Sequence, residues 1–111
     1  MKQLVTAFGV SMAVFIGLAN SAFAMDEFSL TIKNHKFTPE TITIPANTKV
    51  KLIVKNLDPT PEEFESQKLH REKVIQGNSQ GVIFIGPLDP GTYPFVGEFH
   101  ESTAKGQIKV K

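Results

Sequence analysis

The chain has 111 residues, with 12 Lys and Arg, 11 Asp and Glu, three His, nine Phe and no Cys. This near balance of charge, with no basic cluster, argues against a nucleic-acid binder. The absence of Cys excludes both a disulfide framework and a thiolate metal site, and the length is that of one domain.

Lys2 leads into an apolar run from Leu4 to Leu18, interrupted by Thr6, Ser11 and glycines, and then Ala22-Phe23-Ala24. This is the pattern of a secretory signal peptide with a small-x-small cleavage site. Residues 1–24 are therefore expected to be removed, leaving a domain at 25–111. The rival reading is an uncleaved anchor, because the run is nearly long enough to span a bilayer; Asn20, Ser21 and the Ala-x-Ala site favour cleavage. Loss of Lys2 leaves 11 basic against 11 acidic residues. No later run reaches spanning length, so the expectation is a protein of the periplasm, not embedded in the membrane. So small a core is marginal. Without disulfides, its stability rests on packing of Phe, Ile and Val, with a bound metal as a further source.

From residue 25 onward the pattern is that of strands. Phe28-Ser29-Leu30-Thr31-Ile32-Lys33, Thr41-Ile42-Thr43-Ile44 and Lys49-Val50-Lys51-Leu52-Ile53-Val54-Lys55 alternate apolar and polar residues. Such period-two patterns rich in β-branched residues mark half-buried strands. Ser66 to Val74 is ambiguous, since Leu69 and Lys73 would share one turn of helix. Val82-Ile83-Phe84-Ile85, Thr92-Tyr93-Pro94-Phe95 and Gln107-Ile108-Lys109-Val110 complete the set. Pro94 has no N–H to give a ladder, which places it at an edge or a strand start. Pro39, Pro45-Ala46-Asn47, Asn56-Leu57-Asp58-Pro59, Gly77-Asn78, Gly86-Pro87 and Asp89-Pro90-Gly91 supply turns. Short strands at this spacing predict an all-β sandwich or barrel.

The stretch Tyr93 to Gly106 has the layout of the copper-binding end of a cupredoxin. A strand ending in Tyr-x-Phe leads to a ligand loop, which returns through Gly into a last alternating strand. Phe37-Thr38-Pro39, Ile44-Pro45-Ala46, Asn56-Leu57-Asp58, Glu62-Glu63-Phe64-Glu65-Ser66, Glu72-Lys73-Val74, Gly86 to Tyr93 and Glu98-Phe99-His100 extend the likeness over nearly all of residues 25–111. The chain thus resembles the cupredoxin-like family of small periplasmic proteins that lack the blue-copper Cys. It is similar to components of bacterial ferrous-iron uptake built around an inner-membrane iron permease. The resemblance implies a Greek-key β-sandwich, with iron or copper as the bound ion, and the permease and other periplasmic components as partners.

In that layout Gly97 stands at the Cys place, His100 at the His place, and Ala104 or Lys105 where Met would be. The other ligand region follows the Asn that ends the long strand and holds Glu62, Glu63 and Glu65. Carboxylate and imidazole together suit Fe, Mn, Zn or Cu(II), and do not suit Cu(I). Glu63 and Glu65 lie two apart on one strand face, about 6.6 Å along the chain. The expected metal ligands are Glu63, Glu65, Glu98 and His100. His35, in a turn with Asn34 and Lys36, reads as surface; His70 is a second site or solvated; Glu72 is equally well explained by an ion pair.

Other chemistries lack support. Ser66 has no nucleophile elbow around it, and paired carboxylates in so short a chain have no substrate cleft for glycoside hydrolysis. Two functions remain. One is a periplasmic protein that binds and delivers iron, or oxidises it as a ferroxidase, with delivery favoured because only one site is evident. The other is a metal-free interaction module; a copper(II) carrier lies between them.

Overall fold

The computed structural model describes residues 25–111, and the signal peptide expected at residues 1–24 lies outside the described residues. Nine strands follow in order: β1 (Glu27–Lys33), β2 (Lys36–Thr38), β3 (Thr41–Ile44), β4 (Val50–Asn56), β5 (Glu62–Ser66), β6 (Arg71–Ile75), β7 (Ser79–Ile85), β8 (Gly91–Gly97) and β9 (Lys105–Val110). A single 3-10 turn, Glu98–His100, joins β8 to β9. Alternation of side chains decides which face goes inward. β4 buries Val50, Leu52, Val54 and Asn56, and β8 buries Tyr93, Phe95 and Gly97.

The strands form two mixed sheets, in the orders β2-β1-β4-β7 and β3-β9-β8-β5-β6. β1 runs parallel to β4, and β3 parallel to β9; the other pairs are antiparallel. Parallel neighbours cannot be joined by a tight hairpin. The chain therefore crosses between the sheets, and the all-β sandwich expected from the alternation is what forms.

Six of the strands match the alternating segments read from the sequence, and β5 is the strand expected to carry Glu63 and Glu65; β2 and β6 are additional. The ambiguous stretch from Ser66 to Val74 is a turn followed by a strand, not a helix. Ser66 Oγ accepts the Leu69 N–H at 3.3 Å, which closes the turn, and β6 then pairs along β5. Leu69 is buried, so its apolar character is used for packing without helical geometry. Pro94 is neither at an edge strand nor at a strand start: it lies in the middle of β8, opposite Gln107 of β9. The missing N–H does no harm there, because the β8–β5 ladder covers only Gly97 and Val96. Beyond it, the Pro94 carbonyl accepts the Ser66 hydroxyl at 2.6 Å.

At the centre of the core, Phe37, Phe64 and Phe95 meet. Phe37 stands edge-on to Phe95 at 4.9 Å between centroids, and Phe64 stacks on Phe95 at 5.1 Å. All three are at most 2% exposed. Phe64 and Phe95 lie two residues from Glu62 and Gly97 on the same face of their strands, and Phe37 lies two residues from His35, which precedes β2 in its turn. The trio therefore forms the layer of core directly beneath that site. Phe95→Ala is expected to cost about 3–5 kcal/mol and Phe95→Leu under about 1.5 kcal/mol. Urea unfolding curves of the two variants test this.

Candidate metal centre

β5 presents Glu62, Phe64 and Ser66 to the interior and Glu63 and Glu65 outward. Since Phe64 is core, parity alone sends Glu62 inward. Its side chain is 2% exposed, and a buried carboxylate must be fully partnered. Oε1 accepts the backbone N–H of Phe99 at 2.9 Å and that of Glu63 at 3.2 Å. Oε2 faces His100 Nδ1 at 2.5 Å. The carboxylate fits because of Gly97. A Cβ at that position would lie 2.7 Å from Glu62 Cδ and 2.7 Å from the Ala104 Cβ. Glu62 thus takes up the space beside position 97, where the cupredoxin layout places a thiolate.

The loop carrying His100 is tied at its base. Gly97 N–H donates to Ala104 O at 2.8 Å, and Ala104 N–H donates to His100 O at 2.8 Å. Phe99, whose N–H reaches Glu62, leaves its own ring 49% exposed. The 3-10 turn therefore directs His100 inward onto Glu62 while Glu98 and Phe99 face out.

His35 arrives from the other sheet. Lys33 pairs with Lys36 across the β1–β2 hairpin, so Asn34 and His35 form a two-residue turn, with φ of 53° and 58°. Positive φ at both positions is the type I′ geometry, where Asn followed by Gly is the favoured choice. An imidazole at the second position costs about 1 kcal/mol of backbone strain. The sequence reading placed His35 on the surface. Its ring is indeed 43% exposed, but it stacks on the His100 ring at 3.6 Å between centroids, with planes 14° apart. Asp58 accepts the N–H groups of Asn34 at 2.8 Å and His35 at 3.0 Å. The His35 N–H bond holds the Asp58 carboxyl below its ordinary range; burial opposes this, and the Asn34 N–H adds to it.

One ligand atom from each of His35, Glu62 and His100 lies within 4.8 Å of the others. Two imidazoles and one carboxylate form the donor set of non-haem Fe(II) sites, and it also serves Cu(II) and Zn(II). Bonds of about 2 Å to Glu62 Oε2 and His100 Nδ1 require that contact to open to about 2.8 Å where the two bonds meet at a right angle, and to about 3.3 Å where they meet at a tetrahedral one. The stacked His35 ring is a different matter. No ion can lie in the planes of two parallel rings at once, so ligation by both requires the half-exposed His35 ring to turn about its side-chain bonds. No soft donor is available among the described residues, since Met25, their one methionine, lies beyond the far end of β1.

The four ligands expected from the sequence divide between two places. His100 is in the inner cluster. Glu63, Glu65 and Glu98 lie on the outer face with Glu72 and Glu101. Glu63 and Glu98 are brought together there: the hydrogen bond from Glu98 raises the Glu63 carboxyl to about 7, with burial and the negative charge of Glu98 and Glu72 adding to it. Glu65 sits opposite Glu72 of β6 and is raised by burial first and then by Glu98. With Glu101 it lines a cleft of about 610 Å³ that includes Lys68, Pro94 and Val96. His70 is exposed in the turn before β6. Glu62 was among the residues of the ligand region, but pairing Glu63 with Glu65 passed it over. The signal that identifies it is its spacing of two from the core residue Phe64.

Two measurements probe this arrangement. Gly97→Ala places a methyl group against Glu62 and Ala104; it is expected to cost about 1–3 kcal/mol and to displace the carboxylate, as read from unfolding curves and the Phe99 amide shift. A carboxyl whose folded pKa is raised binds its proton more tightly when folded, so it lowers stability as pH rises from its ordinary value towards the raised one. The melting temperature should therefore fall between about pH 4.5 and 7 through Glu63. Glu63→Gln should flatten that slope, and an unchanged slope would assign the effect elsewhere.

A family profile described as "Cupredoxin-like domain" matches residues 5–110. The uncharacterized protein RP394 of Rickettsia prowazekii (strain Madrid E) is 48% identical over 84 residues, covering 76% of this chain and 67% of that one. Among solved structures, the metal-binding domain of the Streptococcus pneumoniae D39 Cu(I)-exporting P-type ATPase CopA with Cu(I) superposes with a TM-score of 0.68 at 15% identity. It covers 77% of this chain and 84% of that one. Auracyanin A, a "blue" copper protein from Chloroflexus aurantiacus, gives 0.67 at 12% identity, covering 79% and 100%. At such identities the likeness is one of fold. With the profile spanning nearly its whole length, the chain belongs to the cupredoxin-like domain family, as a member that has no cysteine.

Proposed function

We propose that this protein binds a divalent transition-metal ion at Glu62 and His100, completed by His35, and delivers iron to an inner-membrane iron permease. The observation that carries the metal reading is the convergence of these three donors at one end of the sandwich. The iron reading rests on the two-imidazole, one-carboxylate donor set and on the resemblance of the Glu-Phe-Glu-Ser and Glu-Phe-His blocks to ferrous-iron uptake components. The leader-like residues 1–24 support a place in the periplasm, where such a permease has its outer face. Copper is the competing cargo: two fold neighbours are copper proteins by name, and Cu(II) outbinds Fe(II) at almost any such site.

Within the site, each residue has a separate task. Glu62, fixed by two backbone N–H groups, supplies a preset anionic oxygen. His100 supplies a nitrogen held against it. His35, half exposed, is the donor free to move, and so the one that can close over an arriving ion and release it. Oxidation of the ion would need an electron acceptor beyond this one cluster, so delivery is the reading adopted. The metal-free alternative, an interaction module, is favoured by one observation. All three polar contacts of Glu62 are made within the protein, and no buried side-chain polar atom lacks a partner among the described residues.

Metal content of the protein isolated from its own cells without added metal separates these readings; a metal-free isolate that also binds no added ion would leave the interaction module. An ion that binds only the folded chain should stabilise it by about 2.7 kcal/mol at a hundredfold excess over Kd. Glu62→Gln and His100→Ala should abolish that gain. Copper loading should give only weak absorption bands, because no thiolate is present to produce an intense blue colour. Ferrous-iron uptake should fail in cells deleted for this chain and return with wild type but not with His100→Ala. Normal uptake in the deletion strain, with no other importer active, would rule out the delivery role.

A further inference from the structure

Two successive left-handed residues form a strained turn, and such a turn persists only where its surroundings over-determine it. Asn34 and His35 are such a pair, and what holds them is a single side chain from another part of the chain. Asp58, whose side chain is 10% exposed, accepts one backbone N–H on each of its two oxygens, Asn34 on Oδ1 and His35 on Oδ2. Successive amides converging on one anion form a backbone nest. The same Oδ2 also faces the His35 ring, with Nδ1 at 3.5 Å.

Asp58 is itself fixed. Its N–H donates to Asn56 Oδ1 at 3.0 Å, and its carbonyl accepts the Asn78 N–H at 2.9 Å. The buried Asn56 amide in turn donates to the Thr60 and Ile75 carbonyls at 2.9 and 3.2 Å. The neighbouring Leu57 N–H donates to Ile32 O at 2.8 Å. A chain of contacts thus runs from the end of β4 through Asp58 to the turn that carries the His35 ring.

We propose that Asp58 is the positioning residue for His35: it bolts the turn by its two amides and orients the ring from the Nδ1 side, leaving Nε2 to meet the ion. This rests on the metal-binding reading given above. A carboxylate behind a ligand histidine fixes its tautomer and orientation, and its loss typically lowers metal affinity about 10- to 100-fold. Here the carboxylate also prevents the turn from relaxing. The movement His35 must make to leave its stack is thereby confined to rotation of the side chain, while the backbone stays in place. Asp58 does not touch the ion; it acts through His35.

The test uses the full chain and Cu(II) as the probe, with wild type, Asp58→Asn, His35→Ala and the double variant. Asn is isosteric with Asp but cannot accept on both of its branches. Asp58→Asn should weaken Cu(II) binding about 10- to 100-fold and reduce the nitrogen couplings in the electron paramagnetic resonance spectrum from two imidazoles to one. In the His35→Ala background the same substitution should cost nothing further, because its effect passes through the missing ring. An equal loss in both backgrounds would show a general structural effect and overturn the proposal. So would wild-type affinity and two nitrogens in Asp58→Asn. If Asp58→Asn does not fold, nitrogen-15 shifts of metal-free wild type decide the matter: neutral His35 should carry its proton on Nδ1, and an Nε2–H tautomer overturns the proposal. Failure of wild type to bind Cu(II) at all would instead remove the metal-binding reading, and the assignment of Asp58 with it.

Discussion

A buried carboxylate in a small all-β core is the constraint on which the rest of the site depends. Glu62 sits on the inward face of β5, 2% exposed, next to an aromatic core that offers it nothing. Burying such a group without partners would cost several kcal/mol. The solution is local: two backbone N–H groups on one oxygen, an imidazole on the other, and a glycine at position 97 that leaves the space open. Each of these also shapes the ligand loop. The Phe99 amide can reach Glu62 only if Glu98–His100 coils into a 3-10 turn, and that coil is what turns His100 inward. The carboxylate therefore organises the loop that supplies its own neighbouring donor.

Beneath this polar layer the aromatic trio does the positioning. Phe37, Phe64 and Phe95 come from both sheets and lock three strands together one pleat below His35, Glu62 and Gly97. Because side chains two apart on a strand share a face, a shift of β5 or β8 would move Glu62 or Gly97 together with its core residue. Rigidity is thus inherited from packing by Glu62 directly and by His100 through the turn that begins after Gly97. The third is different: His35 stands on a turn outside the ladder, and its ring is held by stacking and by the Asp58 anchor. The structure combines a fixed pair, Glu62 and His100, with one half-exposed ring that can turn.

The strands and the sandwich were legible in the sequence because alternation is a local signal, present in β1, β3, β4 and β9 without reference to anything distant. Pro94 shows the limit of that signal. Its tolerance inside β8 depends on where the β5 ladder stops, which is a fact about two strands at once. The site divides in the same way. His100 was legible from its place in the C-terminal block. Glu62 was legible in principle, since Phe64 fixes the parity of β5, but three nearby carboxylates obscured it. His35 and Asp58 were not legible: they are 23 residues apart, and His35 is 65 residues from His100. Only the parallel pairing of β1 with β4 brings the β1–β2 turn over the end of the long strand. The positive φ at His35, the local mark of its importance, is a property of the fold and leaves no trace in composition.

The outer face shares its backbone with the inner cluster. Glu63, Glu65, Glu72, Glu98 and Glu101 crowd one side of the β5–β6 ladder, where the hydrogen bond from Glu98, then burial, then the negative charge of Glu98 and Glu72 hold the Glu63 carboxyl up to about 7. Like charges placed opposite one another on a sheet are destabilising, and a domain this small has little stability to spare. Glu62 and Glu63 are adjacent on β5, and His100 follows Glu98 by two residues, so the backbone that carries the outer carboxylates also carries the inner donors. A cation near Glu63 and Glu98 would relieve repulsion on the same 3-10 turn that presents His100 to Glu62. Outer carboxylates and inner donors are carried by the same two short stretches of chain, the start of β5 and the 3-10 turn. For that reason the charge of the outer carboxylates and the placement of His100 have to be considered together.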